Sequence, residues 1–200
     1  MTDTVSESGL SVAVATHDDA PVVGRLLQLY LYDMADFTGE TLNPETGQFD
    51  YAYFDEYWAD PHRTPYLLRI GEQPVGFCLT NRWTLFYEPP ESARSIAEFF
   101  VLKQYRRSGV GRTAALSILE SNPGDWEIRA LASNGAAVVF WGNVAATLRS
   151  RGHHSELLHS SDDRYAGFVW KLRVRSGAGL QTPVPATGHQ NVRSARGLDG

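Results

Sequence analysis

Apolar and polar residues alternate through Leu10, Val12 and Val14, and the period then changes: Val22, Val23, Leu26, Leu27, Tyr30 and Met34 recur at three- and four-residue steps. Alternation marks a half-buried strand and the longer step marks one face of a helix. The pattern therefore predicts a strand over 10–15 and an amphipathic helix to about Asp36. Asp18 or Asp19 can cap that helix, and Pro21 falls in its first turn, where a missing N–H does no harm. Phe49 to Ala59 predicts a second short helix between loops marked by Gly39, Asn43-Pro44 and Gly47. Pro65–Ile70 and Pro74–Leu85 then read as antiparallel strands around the turn Gly71-Glu72-Gln73.

The second half of the chain repeats this change of period. Ser95 to Leu102 is an apolar strand, followed by a short basic loop with two glycines. A helix with Val110, Ala114, Ala115, Ile118 and Leu119 on its buried face follows, and Asn122-Pro123-Gly124-Asp125 stops it. Trp126, Ile128 and Ala130 alternate against Glu127 and Arg129 in another strand. A helix from Asn134 to about Arg149 ends at Ser150-Arg151-Gly152. Glu156–His159 predicts a short strand. Phe168, Trp170, Leu172 and Val174, alternating with Lys171, Arg173 and Arg175, predict a final, edge-exposed strand over 167–175. Residues 1–9 are polar and acidic, and 176–200 hold Gly, Pro, Ser, Thr and Gln with almost no large apolar side chain. Neither end buries enough surface to offset the entropy of ordering, so a disordered lead and tail are expected around a domain at 10–175.

Composition narrows the class. A chain of 200 residues, 42% hydrophobic and 20% charged, suits one domain with a sizeable core. A net charge of −5 argues against a nucleic-acid partner. No apolar run approaches the ~20 residues of a membrane span and the N-terminus is no signal peptide, so a cytoplasmic protein without a membrane partner is expected. The single cysteine, Cys78, allows no internal disulfide and lies among apolar neighbours, as a buried structural thiol does. His153 and His154 are adjacent and the other histidines isolated, so no metal site is expected.

The strand–loop–helix over 95–119 is an anion site by its chemistry. The first turn of a helix leaves N–H groups unpaired, and the helix dipole adds positive charge there. Gly109 and Gly111 allow close backbone approach, and Lys103, Arg106, Arg107 and Arg112 add charge. The spacing fits neither a P-loop nor a three-glycine dinucleotide fingerprint.

Arg106-Arg107-Ser108-Gly109-Val110-Gly111 resembles the Gln/Arg-x-x-Gly-x-Gly/Ala signature of the GNAT (GCN5-related) acetyltransferase superfamily. Asn134, Ala137, Phe140 and Trp141 resemble its second signature, Asn-x-x-Ala-x-x-Phe-Tyr, with tryptophan where many relatives carry tyrosine. The resemblance spans roughly residues 10–175. It implies an α/β fold of α+β type, with a mixed, mostly antiparallel sheet of six to seven strands flanked by about four helices. It also implies acetyl transfer from acetyl-coenzyme A to a primary amine, without a metal. The backbone at Phe99, Phe100 and Val101 would pair with pantetheine where the fourth strand splays from the fifth. Arg106 to Arg112 (Arg106, Arg107, Ser108, Gly109, Val110, Gly111, Arg112) would hold the diphosphate, and Asn134 and Trp141 would complete the cofactor site.

Glu98, the only acid in its apolar strand, is a candidate base; alternatively it faces solvent or pairs with Arg82 or Arg129. Trp141 cannot act as an acid, which leaves Tyr165 as a candidate proton donor. The segment 30–60 is rich in aromatic and acidic residues and has no Lys or Arg. Tyr30, Asp33 and Asp36 are its candidate acceptor-binding residues, for a cationic small molecule or an exposed peptide amine. A monomer or a homodimer is compatible with all of this. The missing motif tyrosine keeps open a second class, a non-catalytic acyl-coenzyme A sensor or sequestering module.

Overall fold

The computed structural model describes residues 9–162 and 165–177. The expected lead and tail lie almost wholly outside them. Seven strands form one sheet: β1 (Leu10–Val14), β2 (Thr64–Ile70), β3 (Gln73–Asn81), β4 (Arg94–Val101), β5 (Gly124–Leu131), β6 (His154–Asp162) and β7 (Tyr165–Val174), ordered β1-β2-β3-β4-β5-β7-β6. Every neighbouring pair is antiparallel except β4 and β5. Parallel neighbours need a crossover, and α2 (Val110–Ser121) supplies it.

Helix α1 (Ala20–Thr38) covers one face of the first half of the sheet. Its Val23, Leu26, Leu27 and Leu31 pack with Leu67, Phe77, Leu79 and Phe100. On the other face α2 and α3 (Gly135–Ser150) cover a larger core with Ile96, Trp126, Ile128 and Trp170. Burying a side chain such as Phe77 or Leu79, each 0% exposed, contributes roughly 1.5–3 kcal/mol. Among the described residues no helix is long and apolar enough to cross a membrane.

Three expectations are corrected. The described residues hold three α-helices, because 49–59 forms only a 3-10 turn at Asp55–Trp58. Its aromatics anchor separately, Tyr57 in the core and Trp58 through its indole N–H to the Thr16 carbonyl at 2.8 Å, so no continuous helical face is required. The strand expected to end at Leu85 stops at Asn81, since the amides of Leu85 and Phe86 turn to donate to the Glu127 carboxylate. The last strand is not an edge: β6 runs over nine residues rather than four and pairs outside β7.

Two irregularities meet in the middle of β4. Its pairing with β5 covers Arg94, Ser95 and Ile96, opposite Trp126, Glu127 and Ile128, and then ends. Against β3, Ile96 faces Thr80 but Glu98 faces Leu79, so Ala97 is an extra residue, a β-bulge. Strict alternation would put Glu98 on the face of Ile96, under α2 and α3. The bulge turns Glu98 to the face of Leu79 and α1 instead, and Phe99 and Val101 to the face of Ile96.

Candidate active site

Where β4 and β5 part, a cavity of about 320 Å3 opens. Ile96, Ala97 and Phe99 form one wall and Ile128 to Leu131 the other. Tyr30 and Met34 of α1 close one side, Asn134, Ala137 and Trp141 of α3 the opposite one, and Tyr165 of β7 completes it. Over Ala97–Phe99 the β5-facing ladder groups of β4 have no strand opposite them, which leaves backbone donors and acceptors to a ligand.

The basic loop lies at the end of β4. Gly109 is left-handed at φ 90 and caps α2, a conformation that costs an L-residue roughly 1–2 kcal/mol. Arg107 also has positive φ, 65. The left-handed Gly109 followed by helical Val110 forms a concave nest of N–H groups, continued by the open first turn of α2 at Gly111 and Arg112. A Cβ on Gly111 would lie 3.3 Å from the Phe140 ring and 3.6 Å from Val101 Cγ2. Arg107, Ser108 and Arg112 are exposed over this nest, while the Ser108 hydroxyl donates to the Tyr105 carbonyl at 2.7 Å. A cradle of bare backbone with two exposed guanidinium groups suits a diphosphate.

Arg106 does something else. Its Nε donates to the Val101 carbonyl at 2.7 Å and its Nη2 to Asp33 at 2.7 Å, and Lys103 Nζ lies 3.0 Å from the same carboxylate. Asp33 thus pins the loop to α1. Burial works against its ionisation, but the bonds from Arg106 and Lys103 hold its pKa below the usual range. Asp36 is exposed on the same helix.

Glu98 is half-buried between Ala97 and Phe99, one hydroxyl back from the cavity wall. Tyr51 donates to its Oε1 at 3.2 Å, and the Tyr30 hydroxyl reaches the same carboxyl. Burial pushes its pKa up to about 7, against the pull of the two tyrosine hydroxyls and of Arg129. The carboxyl is therefore poised to exchange a proton near neutrality. Tyr165 lines the cavity, its pKa pushed up to about 12 by burial, so its hydroxyl stays protonated. The Arg129 guanidinium sits over the Tyr165 ring, 5.7 Å from its centroid.

Asn134 caps α3, its Oδ1 accepting from the Ala137 amide at 3.0 Å, and its Nδ2 faces Met34 Sδ at 3.8 Å. Trp141 is 6% exposed and packs edge-on against Phe99 and Phe140. The Phe99 ring stacks on Phe140, whereas Phe100 turns to α1 and meets Tyr30. The structure thus gathers Tyr30, Phe99, Asn134, Trp141 and Tyr165 on one cavity, with Glu98 behind it. Asp33 and Arg106 instead join the loop to α1. Sequence reasoning gave Tyr51 and Met34 no role in the site: Tyr51 is 47 residues from Glu98, and Met34 read as core. Their signal was only an aromatic segment and a helix face.

The profile of the Acetyltransferase (GNAT) family matches residues 28–121. No curated protein matches the chain. Solved structures do. An acetyltransferase from Thermus thermophilus is 21% identical at a TM-score of 0.55, over 82% of this chain and 96% of the other. The ribosomal L7/L12 alpha-N-protein acetyltransferase RimL, in complex with coenzyme A, is 13% identical at 0.54, over 88% and 98%. An aminoglycoside N(6')acetyltransferase from Legionella pneumophila is 14% identical at 0.53, over 84% and 93%. This chain, with its mixed seven-stranded sheet, thus shares the fold of solved acetyltransferases and carries over residues 28–121 a match to the Acetyltransferase (GNAT) family.

Proposed function

We propose that this protein transfers acetyl from acetyl-coenzyme A to a primary amine. The observation that carries the reading is the bulge at Ala97, which sets a half-buried carboxyl with a pKa of about 7 beside the gap between β4 and β5. The gap and the loop fit the cofactor. A Cβ on Gly111 would press on the Phe140 ring beneath the first turn of α2, and Gly109 holds a backbone shape that side chains disfavour. The amides of Val110, Gly111 and Arg112, with Arg107 and Arg112, would hold the diphosphate. The free edge of β4 at Ala97–Phe99, with Asn134 and Trp141, would hold the pantetheine arm. When bound, acetyl-coenzyme A supplies an acyl thioester.

The chain's own residues have separable tasks. Glu98 accepts a proton from the incoming ammonium through the Tyr30 hydroxyl or a water, since it stands behind the cavity wall. Tyr30 and Tyr51 hold that carboxyl in place. Tyr165 keeps a proton on a hydroxyl at the cavity. Trp141 and Phe99 keep the walls apolar and exclude water, which strengthens every charge interaction inside. RimL and the aminoglycoside enzyme are by name acetyltransferases acting at nitrogen, which supports an amine as acceptor.

The test is thiol release from acetyl-coenzyme A across an amine panel. Turnover with the wild type, abolished in Glu98→Gln, is expected. Unchanged Glu98→Gln activity over about pH 6–9 would remove Glu98 as the base. Trp141 at the motif tyrosine position supports a second reading, a binding module, which tight coenzyme A binding without thiol release would favour.

A further inference from the structure

The acids of segment 30–60 do not converge on the cavity. Asp33 is held by Lys103 and Arg106, Glu56 and Asp60 by Arg63, and Asp50 by the Asn43 amide. Asp36, Glu40, Glu45 and Asp55 are exposed, and none of these side chains lines the cavity. Among the described residues, the one charged side chain on the cavity wall is Arg129.

Arg129 points where it does for a simple reason. Along β5, Ile128 and Ala130 face the core under α3, so Arg129 faces the opposite side of the sheet, as Glu98 does after the bulge. Its side chain is 24% exposed. Its Nε lies 3.4 Å from Glu127 Oε1, a long contact to a carboxylate that already accepts from the Leu85 and Phe86 amides. Among the described residues no hydrogen bond engages the terminal guanidinium nitrogens. Tyr165 supports the flat face of the group. A guanidinium held at one nitrogen and along its face, on a partly exposed residue that lines the cavity, has the chemistry that receives a carboxylate bidentately. The same fixed charge repels a second cation.

We propose that the acceptor carries a carboxylate within reach of its amino group, and that Arg129 on the cavity wall receives it. The acceptor is then of the amino-acid class, not a polyamine. The inference rests on the acetyl-transfer reading above and specifies its substrate. Carboxylate on Arg129 and amine toward Glu98 would give the acceptor a fixed direction across the gap, which is the use of a second binding point.

The experiment compares common amino acids with their own amides and decarboxylated amines in the thiol-release assay. Wild type is expected to favour the acid in kcat/KM by roughly 10- to 100-fold, the span of a charge-assisted bond. In Arg129→Gln, which keeps a donor for Glu127, that ratio should fall toward one, mainly through KM for the acid, and Arg129→Lys should recover part of it. Equal use of acids and amides by the wild type, which needs no variant, would overturn the proposal. So would an Arg129→Gln variant that leaves the acid-to-amide ratio of kcat/KM unchanged, read at a pH where Glu98 is ionised in both proteins. If no amine releases thiol, calorimetric binding of an N-acetyl amino acid against its amide, with coenzyme A present, separates the two claims. An Arg129-dependent preference for the acid then upholds the carboxylate site while the transfer reading fails, and no preference overturns the site as well.

Discussion

Tyr51→Phe isolates the hydrogen bond that steadies the carboxyl of Glu98. Phenylalanine retains the ring and its packing and removes only the hydroxyl, which donates to Oε1 at 3.2 Å. That bond favours the ionised form, so its loss must raise the Glu98 pKa. At 3.2 Å it is longer than a strong hydroxyl–carboxylate bond, and about 1 kcal/mol is a fair value, equivalent to about 0.7 pH unit. The other groups bearing on the carboxyl, Tyr30 from α1, Arg129 from β5 and Glu40, are untouched. The acid limb of kcat/KM should therefore move from about 7 toward about 8. Activity should drop about five-fold near pH 6, with the deficit closing on the alkaline side. A pH profile of thiol release measures this directly, beside a denaturant melt of the same variant. A limb that stays in place, or moves to lower pH, refutes the claim that Glu98 is the titrating base. A uniform loss at all pH values would point to misfolding instead.

The same carboxyl makes a stability prediction with a definite sign. Its native pKa is raised from 4.5 to about 7, so the native state binds the proton more tightly than the unfolded chain. Its contribution is complete below about 4.5 and is lost as pH rises through about 7, by at most roughly 3 kcal/mol. Glu98→Gln should thus gain thermal stability over wild type between about pH 4 and 8, as activity is lost; a constant difference in Tm across that range would contradict it. For the loop, Gly111→Val should weaken coenzyme A binding by at least about ten-fold in calorimetry while costing about 1–2 kcal/mol of stability, since its side chain presses on the Phe140 ring and Val101 and must displace the first turn of α2. Unaltered affinity would move the diphosphate elsewhere. A double-mutant cycle of Asp33→Asn with Arg106→Gln should show coupling of about 0.5–1 kcal/mol in denaturant melts, held down by the solvent exposure of Arg106. Strict additivity would mean the pin holds nothing.

Local spacing carried much of the architecture. Period-three and period-four apolar positions found α1 and α2, alternation found β5 and β7, and two short glycine- and asparagine-bearing motifs marked the starts of α2 and α3. Each signal works within one element, because a helix face or a strand face is read over neighbouring residues. Spacing misled at 49–59, where aromatics that anchor one by one imitate a helical stripe, and at β7, where polar positions facing outward from an interior strand imitate an edge.

What the chain alone determined, then, was the identity of most elements and the basic, glycine-bearing composition of the loop between β4 and α2. The surroundings of the cavity were decided by tertiary structure. The alternation in β4 assigns Glu98 to the wrong face, and only its register against Thr80 and Leu79 shows the bulge that turns it. Segment 30–60 is acidic by composition, yet its paired acids are held by Arg63, Lys103, Arg106 and Asn43, and the charge left on the cavity wall is the positive one of Arg129. The physical reason is the same in both cases: a side chain's face follows from pairing with a distant strand, and a charge acts only after its nearest opposite charge has been found.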